Sequence, residues 1–274
     1  PPNPIGRNGA LCKLFGVLCM CFVPVCPLSN QQDAAQFMDC GIGRPRNYRS
    51  PTMTLKFYTN PNSRGRMVRW MLEEVGVEYE TIVLDYQQTS QNDQWGGAAL
   101  EKPTNAEASA EQVRFFSEIN PIGKIPALEH NGRVITESGA IIAYLADVFA
   151  TAGLAPTDEE KANYYRWMFF AAGPVEQAVT NHRAGFVPLP EQEFFFGHGS
   201  YERTLAQLER AVTANAFVAG GRFTAADVYV GSHIGWGLGL GTIPPRQAFL
   251  NYAAKLVERE AYKRGVAKDD VLLK

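Results

Sequence analysis

From Met53 onward the chain alternates between short apolar runs and stretches with a helical repeat. Residues 54–58 (TLKFY) read as a strand. Asn60-Pro61-Asn62 is turn chemistry, since Asn side chains bond their own backbone and Pro presets one dihedral. Ser63 stands where a helix N-cap belongs. After it Met67, Val68, Met71, Leu72 and Val75 recur at the i, i+3, i+4 spacing of one helix face, and Gly76 supplies a stop. Residues 79–84 are rich in β-formers, so this region predicts a strand–helix–strand unit with parallel strands.

Residues 86–110 are polar and carry Gly96-Gly97 and Pro103, which predicts a loop or weakly helical insertion. Residues 113–119 read as a short helix. Residues 125–129 and 133–136 are two strands around Asn131-Gly132, the pair that type I′ hairpins favour. Ser138 then caps a helix carrying Ile141, Ile142, Leu145 and Val148. The order of elements resembles that of thioredoxin-like domains and assigns residues 53–150 to an α/β domain. Gly153 and Pro156 mark a linker, and no strand pattern follows. Thr157 with Glu160 forms a capping box before a helix through the aromatic residues 164–170. Gly173-Pro174 should bend or split that helix. Ser200 caps a helix holding Leu205, Leu208 and Val212. Phe223 to Val228 is a second capping box, with Thr224 and Asp227 as its partners and Phe223 and Val228 as a hydrophobic staple. A last helix is expected over 246–260. Residues 151–274 are therefore expected to form an all-helical domain.

Composition narrows the chemistry. Five cysteines, Cys12, Cys19, Cys21, Cys26 and Cys40, all precede Met53, so the body offers no disulfide, cysteine nucleophile or thiolate ligand. The four histidines stand at no metal-ligand spacing, and no metal site is expected. The net charge of −2 and the absence of a basic run exclude a nucleic-acid surface. Residues 1–52 do not match the rest. An apolar run over 11–28, broken by Lys13, Pro24 and Pro27, resembles a secretory core segment and makes a poor membrane span. Three readings of this leader stay open: upstream sequence outside the protein proper, a targeting segment, or a Cys-rich extension. We expect it not to pack into the fold. No membrane contact is expected for 53–274. A cytoplasmic location is expected, with export or targeting left open by the leader.

Four stretches, in this order and spacing, resemble the glutathione S-transferase family, its bacterial serine-type members in particular. They are residues 57–66 (FYTNPNSRGR), residues 120–128 (NPIGKIPAL), Glu137-Ser138, and the 223–228 box. The resemblance covers about 53–261. It implies a thioredoxin-like domain followed by a helical bundle, glutathione as substrate, a small hydrophobic electrophile as second substrate, and a homodimer. It implies that Ser63 holds the thiolate, with Asn60, Asn62 and Tyr58 as rival donors. The chemistry is sound for a hydroxyl at a helix start: a thiol titrates near pH 8.5, and a hydrogen bond with the helix dipole favours the anion. The resemblance also implies a cis bond at Ile125-Pro126 whose backbone pairs with the cysteinyl part. Lys124 would meet the glycyl carboxylate, and Glu137 and Ser138 the γ-glutamyl end. Trp167, Phe169 and Phe170 read mainly as core. Phe170 and Trp236, with Leu238 beside them, are the candidates for the walls of an apolar substrate pocket. Thr224 and Asp227 read as capping residues. Residues 86–111 are longer than the family's usual link, which leaves contacts from that side open. The alternative function is a non-catalytic binding or scaffold protein on the same fold.

Overall fold

The structure is a computed structural model, and it describes residues 53–85 and 106–273. These lie in one compact unit, Pro51–Lys274. The leader, and the part of the 86–111 insertion up to residue 105, fall outside the described residues. So does the expectation that the leader stays unpacked.

Four strands form one mixed sheet: β1 (Leu55–Thr59), β2 (Glu80–Val83), β3 (Ala127–His130) and β4 (Arg133–Thr136), in the order β2-β1-β3-β4. β1 pairs parallel with β2 and antiparallel with β3, with Phe57 opposite Thr81 and Leu128. β3 and β4 form the expected hairpin, with Asn131 and Gly132 at φ 50° and 77°. Those positive angles are what a type I′ turn demands.

Neighbouring side chains on β1 face opposite sides of the sheet. Phe57 therefore enters the main core beside Met71 and Leu72 of α1 (Gly65–Val75) and Ile141 of α3 (Ser138–Val148). Each such buried side chain contributes roughly 1.5–3 kcal/mol. Tyr58 enters a smaller cluster on the other side with Phe115 and Ile119. These two belong to a single π-helical stretch, Phe115–Ile119, that continues α2 (Ala106–Arg114). The helix thus begins seven residues earlier than the apolar pattern at 113–119 suggests.

Every later element is helical: α4 (Lys161–Phe170), α5 (Glu176–Arg183), α6 (Tyr201–Ala214), α7 (Ala225–Leu240), α8 (Gln247–Val257) and α9 (Glu260–Val271). Gly173-Pro174 does interrupt the first helix: Ala171–Val175 is π-helical, with Pro174 inside it, and separates α4 from α5. Thr157 N–H donates to the Glu160 carboxylate at 2.9 Å as a capping box requires, yet α4 starts only at Lys161. α7 is apolar on nearly all sides and runs through the core, as such a helix must. At its start Asp227 accepts the Thr224 N–H at 2.8 Å, the Val218 N–H at 2.9 Å and the Tyr252 hydroxyl at 2.6 Å.

α9 was not expected, since the last predicted helix ends at 260. Its sequence is largely charged, and its packing onto α1 is ionic as much as apolar. Arg69, 2% exposed, meets Asp269, 1% exposed, at 2.6 Å. Arg264 and Lys268 bind Glu73, and Arg259 grips Glu74 with two hydrogen bonds at 2.6 and 2.7 Å.

Candidate functional site

A cavity of 720 Å³ opens where the sheet's helix ends meet α4 and α5. Lys124, Ile125 and Pro126 form one wall and Glu137 with Ser138 another, so five residues singled out from the sequence border one space. The Ile125-Pro126 bond is cis. The loop before it is pinned: Asn120 donates to the Lys124 carbonyl at 2.6 Å and accepts the Gly123 N–H on its own carbonyl at 2.8 Å. Ile125 and Pro126 are buried and Lys124 is exposed, which leaves the ammonium at the rim.

Glu137 is the N-cap of α3, at φ 68° and ψ 116°. The first N–H groups of a helix have no intrahelical acceptor. Those of Ser138, Gly139 and Ala140 precede the first helical bond, Ile141 N to the Glu137 carbonyl at 2.9 Å, and all three residues line the cavity. Such a row suits a carboxylate. Tyr229 of α7 also borders the cavity, its hydroxyl pushed up to about 12 by burial and by the nearby Glu176 charge.

The turn between β1 and α1 differs in detail from its expected form. Ser63 precedes the N-cap, which is Arg64. Ser63 is 3% exposed. Its hydroxyl donates to the Asn60 carbonyl at 2.7 Å and accepts the Gly65 N–H at 2.9 Å. It is not among the residues that line the cavity; Arg64 is. The rival donors are engaged too. Asn60 donates to the Leu84 carbonyl and accepts the Asn62 N–H, both at 2.8 Å. Tyr58 lies on the far face of the sheet, between Arg114, Glu111 and Glu129, and burial with those carboxylates raises its hydroxyl well above the usual range. Gly65 is needed for this turn: a Cβ there would lie 2.0 Å from Thr59 Oγ1.

Arg64 bonds to Glu176 of α5. Both residues, with Thr180, also line a second cavity of 410 Å³, bounded by Met67, Trp236 and Leu240. Glu176 lies 3.7 Å from Nδ1 of His233. That imidazole is lowered to about 3, by burial first and the Arg64 charge second, and so is neutral at pH 7. Its Nε2 is buried with no hydrogen-bond partner among the described residues.

The apolar wall differs from the two residues chosen for it. Phe170 is half-buried against the core, edge-on to Trp167 at 5.6 Å, and lines neither cavity. Its neighbour Phe169, 73% exposed, lines the larger one. Trp236 borders the smaller cavity and not the larger one, and Leu238 packs on the core. A helical repeat near 100° per residue does not say which of two adjacent aromatics faces the groove. Glu176, His233 and Tyr229 escaped sequence reasoning because only the packing of α5 against α7 gives them meaning. Thr224 and Asp227 lie in the helical half, inside the capping network. Among the described residues no group of three or more His, Cys, Asp or Glu is placed to hold a metal. Nor is any helix among them long and apolar enough to cross a membrane.

Residues 63–148 match the family model for the N-terminal domain of glutathione S-transferases. Protein LigF of Sphingobium sp. is 30% identical over 166 residues, which are 52% of this chain and 57% of LigF. Disulfide-bond oxidoreductase YghU of Escherichia coli K12 is 27% identical over 235 residues, 77% of this chain and 73% of YghU. The chain thus spans little more than half the length of LigF. Among solved structures, the theta class glutathione S-transferase of Xanthomonas axonopodis pv. citri, determined with glutathione bound, superposes with a TM-score of 0.54 at 28% identity, over 78% of this chain and 97% of that one. The order of strands and helices, the cavity at the cis-proline wall and these matches agree: residues 63–148 form a glutathione S-transferase N-terminal domain, and the described residues share the fold of glutathione S-transferases.

Proposed function

We propose that this chain binds glutathione in the 720 Å³ cavity and delivers its thiolate to a small electrophile. The observation that carries the reading is the meeting, around that one space, of Lys124, the Ile125-Pro126 wall and the Glu137-Ser138 helix start. Lys124 takes the glycyl carboxylate, a charge-assisted contact at the rim. The backbone at Ile125 pairs with the cysteinyl unit. The open N–H groups at the start of α3 take the γ-glutamyl carboxylate, and Glu137 faces its ammonium. The sulfur then lies toward the β1–α1 turn. Ser63 is the hydroxyl assigned to it, and to serve the sulfur it must exchange the Asn60 carbonyl for the thiolate. Positioning and stabilisation of the anion supply the rate enhancement. The second cavity, at Arg64 and Trp236, takes the electrophile. The active form is a homodimer.

The name of YghU favours a second reading, disulfide reduction. The body from Met53 has no cysteine, so both electrons would come from glutathione. One thiolate attacks the disulfide and releases a thiol as a mixed disulfide forms; a second glutathione then displaces the other sulfur and leaves oxidised glutathione. Calorimetry of the full chain with glutathione, followed by parallel assays with a model aryl halide and a model disulfide, tests both. Binding at micromolar to millimolar concentration with turnover of either is expected. No heat at millimolar ligand leaves the non-catalytic scaffold.

A further inference from the structure

We propose that Arg64, more than Ser63, is the cation that keeps the bound thiol ionised, and that Glu176 is the partner that holds its guanidinium at the sulfur's place before glutathione arrives. The proposal rests on the glutathione reading and adds the group that meets the sulfur.

Three observations on one turn carry it. First, Arg64 is the only residue of that turn to border the glutathione cavity, and it borders the second cavity as well. A sulfur passing from one bound molecule to the other must lie where the two spaces meet, and Arg64, Glu176 and Thr180 are the residues they share. Second, Ser63 is committed: its proton lies on the Asn60 carbonyl, and its oxygen holds the Gly65 N–H. Recruiting it breaks a buried hydrogen bond in the turn that starts α1. Third, Arg64 has capacity to spare. A guanidinium carries five N–H donors, and Glu176 is bonded through Nη2. The side chain is 42% exposed, so it can move toward a ligand. It is also the N-cap residue of α1, where the helix dipole adds a positive field.

The charges around it agree with the assignment. Glu176 on α5 is the acid that faces the guanidinium. His233 on α7 is neutral at pH 7 and does not compete for Glu176. Glu137 on α3 and Tyr229 on α7 border the same cavity, with Lys124 at its rim, and Arg183 on α5 borders the second cavity. One cation therefore stands at the junction against one carboxylate, and a thiolate there gives it a second anion. The chemical step is an acid dissociation: the S–H bond breaks, its electron pair stays on sulfur, and the proton passes to water at the cavity mouth. Arg64 acts on the product side of that equilibrium, and a nearby opposite charge lowers such a titration by about 1–3 pH units.

The test titrates the thiolate absorbance of the full chain saturated with glutathione, in the wild type, Arg64→Ala, Arg64→Lys and Ser63→Ala, with affinity measured separately by calorimetry. The expected result for Arg64→Ala is a midpoint raised by about one pH unit or more, with the dissociation constant, measured at a pH below both midpoints where the bound thiol is protonated, changed by less than about threefold. Arg64→Lys should restore part of the shift, because it keeps charge and loses the fork. An unmoved midpoint in Arg64→Ala, or a larger rise in Ser63→Ala, overturns this assignment and leaves glutathione binding intact. Absence of binding to the wild type overturns the functional reading and this proposal together.

Discussion

Two arginines five residues apart on one helical segment are used in opposite ways. Arg69 is 2% exposed, sits at 2.6 Å from Asp269, and lies 5.1 Å from the Phe57 ring centre. It also donates to the Tyr79 and Thr81 hydroxyls, each at 3.2 Å. Arg64 is 42% exposed, is paired with a carboxylate 30% exposed, and stands beside open space. The first pair has surrendered its hydration and can only be kept or broken. The second stays close to water, contributes little to folding, and can exchange partners. Burial, more than the identity of the ion pair, decides which arginine is free to exchange its partner.

The largest effect should come from the buried side. Arg69→Leu strands the Asp269 carboxylate and should cost about 3–5 kcal/mol, measured by urea unfolding. Arg69→Leu combined with Asp269→Leu should recover much of that, since an apolar pair of similar size often serves as well. If the single variant unfolds like the wild type, the contrast between the two arginines is lost.

A smaller effect belongs to His233, behind Glu176. Its imidazole titrates near 6.5 when unfolded and near 3 in the fold. The unfolded chain therefore binds a proton that the fold refuses, and stability falls as pH drops below 6.5 toward 3. The slope for one such group is about 1.4 kcal/mol per pH unit. His233→Gln should remove that slope, so that the difference in stability between pH 6.5 and 5 shrinks by about 2 kcal/mol relative to the wild type. Equal slopes in both proteins would mean that the imidazole reaches water.

The smallest effect is expected for Arg64→Ala, under about 1 kcal/mol by the same unfolding assay, as for other pairs near solvent. A loss as large as that of Arg69→Leu would make both arginines props of the fold.

What the sequence disclosed follows the range of each interaction. The β3–β4 hairpin depends on Asn131 and Gly132 alone, and the end of α1 on Gly76, which adopts φ 69°. Both were legible. The Thr224–Asp227 box spans four residues and was legible too. Ser63 had the right side chain for a cap, but the bond from Ser63 N to the Asn60 carbonyl closes a turn first and moves the helix start to Gly65. Arg64 meets Glu176 across 112 residues and Arg69 meets Asp269 across 200, separations that no local pattern encodes. α9 was missed for the same reason. Its apolar signal is thin, and the acids and bases that fix it lie on α1.

The 200-residue reach of the Arg69–Asp269 bond bears on synthesis. While the polypeptide grows on the ribosome, the thioredoxin-like half emerges with a guanidinium already destined for its interior and no carboxylate to receive it. Desolvating that charge alone is costly, so the early half should stay loosely closed until Asp269 appears. The helix that follows the β1–α1 turn is thus locked by a residue translated 200 positions after its own arginine.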